Sequence, residues 1–215
     1  MADSSSRSGD RYAYPGLLDY VNHIHAPHDA ALARAFEVPA GIPAIQVAPS
    51  DGKLISLLLR LAGAAKVVEV GTLVGYSATI IARSLRPGGH LWSVEYEARH
   101  AEIARANLAA AGLADRVTVT VGAGRDVLPT LAPHGPFDAV FIDADKVNYD
   151  FYGEWAIANL RQGGLVLGDN AYLFGELLDD SERDRAMRAF HEQVAASCDS
   201  VCAPTPDGLV VGIKR

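Results

Sequence analysis

Between residues 66 and 167 the chain repeats one pattern: a short β-branched or apolar run, a turn, then a stretch of helical periodicity. The runs fall at 66–70, 90–94, 117–121, 137–142 and 165–167, and the spacing predicts helices over 76–85, 98–111, 126–131 and 149–160. Strands separated by helices cannot pair as hairpins. Each connection has to cross over the sheet, so the strands run parallel with helices covering both faces. The end of the chain breaks this rhythm. A helix over 181–197 leads to strands at 200–203 and 209–213, joined by Pro204-Thr205-Pro206-Asp207-Gly208. Such a turn makes a hairpin, so the last strand is expected to be antiparallel. The expected fold class is α/β, with a seven-stranded, mostly parallel sheet.

Upstream, Leu17, Leu18, Val21 and Ile24 follow helical spacing, and residues 30–36 suggest a second short helix. Pro39, Gly41, Pro43 and Pro49 mark a connector, within which Ile42, Ile45 and Val47 should pack onto the core. Ser50 or Asp51 is placed to cap a helix running to about residue 61, with Leu54, Leu57, Leu58 and Leu61 on one face. Residues 1–12 are polar and read as a flexible tail. Residues 13–215 read as a single domain, in which 13–48 form a helical cover on a core at 49–215.

Composition narrows the function. Nineteen basic against 26 acidic residues leave a net charge of −7, which weighs against a general nucleic-acid binder. No apolar run approaches the ~20 residues of a membrane span, and no signal peptide is evident, so a cytoplasmic protein is expected. Cys198 and Cys202 are too few for a disulfide scaffold or a structural zinc site and read as structural thiols. His23 and His25 would point to different faces of a helix. With His28 they read as surface or lid contacts rather than a metal tract. Trp92 and Trp155 read as packing residues.

The chemistry gathers at strand ends, where open parallel sheets bind their ligands. After the first strand come Glu69, Gly71, Thr72, Gly75 and Ser77. The two glycines permit a tight turn and close approach of the backbone, but their G-x3-G spacing is not the dinucleotide fingerprint. Glu69 there suits a cationic ligand better than a pyrophosphate. Glu95 ends the second strand, where an acid can accept ribose hydroxyls or simply be a solvated loop residue. Asp143-Ala144-Asp145-Lys146 ends the fourth strand and Asp169-Asn170 the fifth. Asp143, Asp169 and Asn170 are hard oxygen donors suited to a divalent cation such as magnesium. The bland alternatives are an Asx turn at Asp169-Asn170 and an exposed loop lysine at Lys146.

Residues 69–77, Phe141-Ile-Asp-Ala-Asp-Lys146 with Asn148-Tyr149, and Gly163-Gly-Leu-Val-Leu-Gly-Asp-Asn170 occur in matching order. Together they resemble the class I S-adenosylmethionine-dependent O-methyltransferases. Within them they resemble the cation-dependent branch that holds catechol and caffeoyl-CoA O-methyltransferases, over about residue 40 to the C-terminus. The resemblance implies a Rossmann-like sandwich, with Asp143, Asp169 and Asn170 as ligands of a divalent cation, expected to be magnesium. It implies Lys146 as general base, with Asp143 and Asn170 beside it at the catalytic centre. Glu69, Gly71, Thr72 and Ser77 would contact the methionine end of S-adenosylmethionine. Glu95 would hold the ribose, and Val47, Gly124, Asp143 and Asp145 would line the rest of the cofactor. Lys146, Asn170 and Phe174 would meet the acceptor. Phe174 replaces a tryptophan frequent in the family, and Gly124 a serine of the catechol enzymes.

The implied reaction is methyl transfer to a phenolic hydroxyl of a small ortho-dihydroxy aromatic, in a setting such as natural-product biosynthesis, by a homodimer. No lysine precedes Lys53, and only Arg7, Arg11 and Arg34 are basic there. A coenzyme A thioester prefers cationic partners for its phosphates, so a caffeoyl-CoA-type or carrier-tethered acceptor is the alternative. A nucleotide-dependent oxidoreductase and a non-catalytic S-adenosylmethionine-binding protein are more distant ones.

Overall fold

The central strands are buried on both faces, as a sheet covered by helices on each side requires. In the computed structural model, which describes residues 16–215, β1 (Lys66–Val70) sends Val67 to one apolar cluster and Val68 and Val70 to the other. β4 (Phe137–Ile142) does the same, with Ala139 and Phe141 on one side and Val140 and Ile142 on the other. The tail read at 1–12, with Arg7 and Arg11, lies outside the described residues, as do residues 13–15.

The remaining elements run in chain order as α1 (Leu17–His25), α2 (Ala30–Phe36), α3 (Pro49–Leu61), then α4 (Tyr76–Ser84) after β1. β2 (His90–Glu95), α5 (Ala98–Ala110), β3 (Val117–Val121) and α6 (Gly124–Leu131) precede β4. α7 (Tyr149–Asn159), β5 (Leu160–Gly168), α8 (Glu182–Ser197), β6 (Cys198–Ala203) and β7 (Leu209–Lys214) complete the chain. The seven strands lie in the order β3-β2-β1-β4-β5-β7-β6. β1 to β5 pair in parallel, and β7 runs antiparallel to both β5 and β6. Helices α3, α4 and α5 cover one face; α6, α7 and α8 cover the other. No helix among the described residues is long and apolar enough to cross a membrane.

The register positions the site. Val70, Val94, Ile142 and Gly168 are neighbours across the sheet. The ladder continues one step further: Gly71 N–H donates to Val94 O, Asp143 N–H to Val70 O and Asp169 N–H to Ile142 O, each at 2.9 Å. Gly71, Glu95, Asp143 and Asp169 therefore emerge in one row. The strand order reverses direction between β1 and β4, which is the crevice where such sheets bind ligands.

Several local expectations are corrected. Ala48 occupies the cap position of α3 and Pro49 its first turn; the Ser50 hydroxyl is turned to Asn22 of α1 instead. The buried face of α3 is Asp51, Gly52, Ile55 and Leu59, whereas Leu61 is 86% exposed and Leu57 is also exposed. Six aliphatic residues within eight positions leave the helical phase ambiguous in the sequence. The close approach of Gly52 to Ile80 of α4 decides it, since a Cβ there would stand 2.6 Å from Ile80 Cδ1. Ile42 and Val47 are buried as expected, but Ile45 is exposed at the rim of the cavity described next. The run at 165–167 does lie in β5, whose ladder starts at Leu160, paired with Phe137 ahead of an irregularity.

Candidate active site

A cavity of about 930 Å³ opens over the carboxyl ends of the strands. Its wall includes Val47, Gly71, Thr72, Ser77, Glu95, Gly124, Asp143, Asp145, Lys146, Asp169, Asn170 and Phe174. One expected residue is absent from that wall. Glu69 is fully buried and pairs in register with Ser93 and Phe141, beneath the strand ends. Ser93 Oγ donates to Glu69 Oε2 at 2.5 Å, and Thr72 Oγ1 lies 2.5 Å from Ser93 Oγ. Burial pushes the Glu69 carboxyl up to about 7, against the lowering effect of the Ser77 and Ser93 hydroxyls. Glu69 thus supports the β1 turn from below.

The β1 end is built from backbone. A Cβ on Gly71, whose φ is +100°, would lie 1.9 Å from the Asp143 carbonyl oxygen, so only glycine lets the β1 turn pass the β4 end. Glu95 Oε2 accepts from the Thr72 and Leu73 amides at 3.1 and 2.7 Å, and Oε1 from the Glu97 amide at 2.9 Å. A carboxylate offers about four acceptor positions. Glu95 therefore locks the turn, with His100 Nδ1 a further neighbour 3.5 Å from Oε1, and still lines the cavity.

The β4 and β5 ends are built from side chains. Lys146 Nζ donates to Asp143 Oδ1 at 3.1 Å and to the Tyr149 hydroxyl at 2.9 Å, and its side chain is only 13% exposed. That rules out the exposed loop lysine. Asp169 is 3% exposed, and its Oδ1 has no hydrogen-bond partner. Burial and then the neighbouring Asp143 raise its carboxyl well above the ordinary value. The Asx-turn reading fails here for a plain reason. The Ala171 and Tyr172 amides, which such turns would need, donate to the Gly208 and Asp207 carbonyls at 2.9 and 3.1 Å.

A buried, orphaned carboxylate oxygen beside a second carboxylate is costly unless a proton or a cation joins it. The donor set of Asp143, Asp169 and Asn170 fits a hard divalent ion that keeps positions for other oxygens. No cluster of three or more His, Cys, Asp or Glu side chains is arranged for a metal among the described residues; this set, two carboxylates and an amide, is of a different kind.

A family model described as O-methyltransferase matches residues 30–213. The chain belongs to this O-methyltransferase family. A catechol O-methyltransferase of Mycobacterium tuberculosis is 45% identical over 177 residues, covering 81% of this chain and 80% of the relative. A catechol O-methyltransferase of Niastella koreensis is 38% identical over 185 residues, covering 83% and 84%. The crystal structure of an O-methyltransferase from Bacillus cereus in complex with SAH matches with a TM-score of 0.86 and 34% identity, covering 95% of this chain and 99% of that one. The fold is the Rossmann-like sandwich of class I methyltransferases.

This O-methyltransferase also brings residues to the cavity that sequence reasoning did not single out: Arg125, Tyr152 and Asp207. Tyr152 donates to Asp145 Oδ1 at 2.6 Å, and its ring fills the space a side chain at 124 would need. A Cβ on Gly124 would stand 2.7 Å from Tyr152 Cε1, which accounts for glycine where serine is expected. Asp207 reaches the rim because the β6–β7 turn is bonded to residues 171 and 172. Phe174 lines the rim but is 63% exposed, in a loop where Asn170, Leu173 and Phe174 all have positive φ. Such strain in non-glycine residues persists only where packing enforces it. His28 does bridge cover and core: its Nε2 lies 2.7 Å from the Tyr76 hydroxyl, and Tyr76 lines the cavity.

Proposed function

We propose that this O-methyltransferase moves the methyl group of S-adenosylmethionine to a phenolic oxygen of a small catechol-type acceptor, with a divalent cation at Asp143, Asp169 and Asn170. The single observation that carries the reading is the orphaned Asp169 Oδ1, buried next to Asp143 and Lys146 in the wall of the cavity. The names of the catechol-acting relatives support the acceptor class.

A phenol has a pKa near 10 and is a poor nucleophile at neutral pH. The cation, when bound, would supply the positive charge that favours the phenolate. Lys146 Nζ is held on two sides and offers its remaining position to the acceptor hydroxyl, as the general base that takes its proton. The freed oxygen then attacks the sulfonium methyl, and the carbon–sulfur bond breaks to leave S-adenosylhomocysteine. Glu95 and the amides of the β1 turn hold the cofactor so that its methyl meets that oxygen, and alignment of this kind supplies much of the rate. Phe174 and Asn170 border the acceptor. Glu69 acts by holding Thr72 through Ser93, not by touching the sulfonium.

Within the same reading, residues 16–48 cover the site or form a homodimer contact, which sedimentation tests. Magnesium is the expected ion. The experiment for the whole reading is a screen of catechols, monophenols and coenzyme A thioesters with S-adenosylmethionine, followed by mass spectrometry. Methylated catechols with inert monophenols are expected; a screen in which no catechol gains a methyl group overturns it.

A further inference from the structure

Tyr149 begins α7 and is fully buried. Its hydroxyl oxygen accepts from Lys146 Nζ at 2.9 Å, and its single proton lies between two acceptors, the carbonyls of Ile142 and Asp169, at 3.1 and 2.9 Å. Lys146 Nζ also lies 4.7 Å from the centre of the Tyr149 ring, within cation–π range. The carbonyls of Ile142 and Asp169 can only accept, so the phenol stands against them as a donor. Its polarity is thereby fixed: it gives its proton to a carbonyl and presents a lone pair to the lysine.

We propose that Tyr149 is the positioning residue for Lys146, aiming the amine at the acceptor hydroxyl and tying it to the loops that carry Asp143 and Asp169. The proposal rests on the role given to Lys146 above. A lysine stem has four carbons and much rotamer freedom to lose. Asp143 Oδ1 at 3.1 Å fixes one direction of the amine, Tyr149 fixes a second, and the third is left for the cavity that Lys146 lines. Ile142 ends β4, and Asp169 follows β5. One hydroxyl therefore registers the base against both strand ends. Phenylalanine at 149 keeps the ring and its edge contact with Phe190, whose centroid is 5.4 Å away, and removes only the hydroxyl.

The test compares wild type, Tyr149→Phe, Lys146→Met and the double variant, with kcat and KM measured separately for a catechol and S-adenosylmethionine. Tyr149→Phe is expected to lower kcat at least tenfold while both KM values stay within twofold. In the Lys146→Met background the same change is expected to cost nothing further, because the residue acts through the lysine. A merely structural role would lower both backgrounds alike. In parallel, acetylation of Lys146 by acetic anhydride, read by peptide mass spectrometry, is expected to quicken at least threefold in Tyr149→Phe. An unchanged kcat, an equal loss in both backgrounds, or an unchanged labelling rate overturns the proposal. A wild type that methylates no catechol strikes the proposed function instead, while the labelling arm still decides whether Tyr149 holds Lys146.

Discussion

The two sides of the cavity solve opposite problems with the same residue type. At the β1 and β2 ends, Glu95 is satisfied by three backbone amides and the turn is shaped by Gly71. At the β4 and β5 ends, Asp169 is buried with an empty oxygen, Asp143 leans on a lysine, and the following loop carries backbone strain. The first side is the more nearly finished before any ligand arrives, although Glu69 Oε1 beneath it also lacks a partner. The second is unfinished, with Asp169 Oδ1 left without a partner beside Asp143 and Lys146. Pre-formed hydrogen bonding suits holding a cofactor, whereas paired carboxylates suit binding a cation whose charge would in turn stabilise a phenolate.

The largest expected effect falls on the unfinished side. Asp169→Ala should lower turnover by about a thousandfold, comparable to removing a catalytic metal's ligand, and leave S-adenosylhomocysteine affinity within about threefold. Calorimetry and initial rates together check this split. Loss of cofactor affinity in that variant would break the division between the sides.

Next comes the finished side. Gly71→Ala should cost at least about 3 kcal/mol of stability in urea unfolding, because its Cβ has no room beside the Asp143 carbonyl. A variant as stable as wild type would mean that the two turns are not packed as described.

The third effect is a pH dependence. Burial raises the Glu69 carboxyl to about 7 and, with Asp207, the Asp51 carboxyl to about 6. Each binds its proton more tightly folded than unfolded. The stability this confers is full below about pH 4 and is lost as pH rises through 6 and 7. Asp169, raised to about 8, acts in the same direction. Without added metal, the loss between pH 4 and 8 should therefore be on the order of 6 kcal/mol or more, because each tenfold gain in proton affinity on folding is worth about 1.4 kcal/mol. Calorimetric melting across that range checks it, and Glu69→Gln should flatten the slope.

The smallest effect sharpens the role of Glu95. Glu95→Gln keeps the size but sets an amide N–H against backbone donors. It should weaken S-adenosylhomocysteine about tenfold and cost roughly 1–2 kcal/mol of stability. Effects on both quantities together would mark Glu95 as lock and ligand contact at once; an effect on stability alone would leave it only the lock.

The parallel core was legible because β-branched runs alternate with glycine turns, and β1, β3 and β4 fall at the expected bounds. The phase of α3 was not, since its aliphatic residues surround the helix and only contact with α4 selects a face. Glu69 is plain in the sequence as an acid close to a strand end, but its burial two residues below the turn is set by the pairing of β1 with β2 and β4. Asp143, Lys146, Asp169 and Asn170 stood out because acids, an amine and an amide follow strands. Tyr149 was legible only as part of the motif that follows Lys146, and Tyr152 not at all, because aromatic residues opening a helix look like packing until α7 folds back over the strand ends.

The most direct measurement is the rate of methyl transfer from S-adenosylmethionine to a catechol after exhaustive chelation and again after magnesium is returned. The account predicts at least a hundredfold loss on chelation, with recovery on addition of the ion. An undiminished rate in the chelated protein would contradict it.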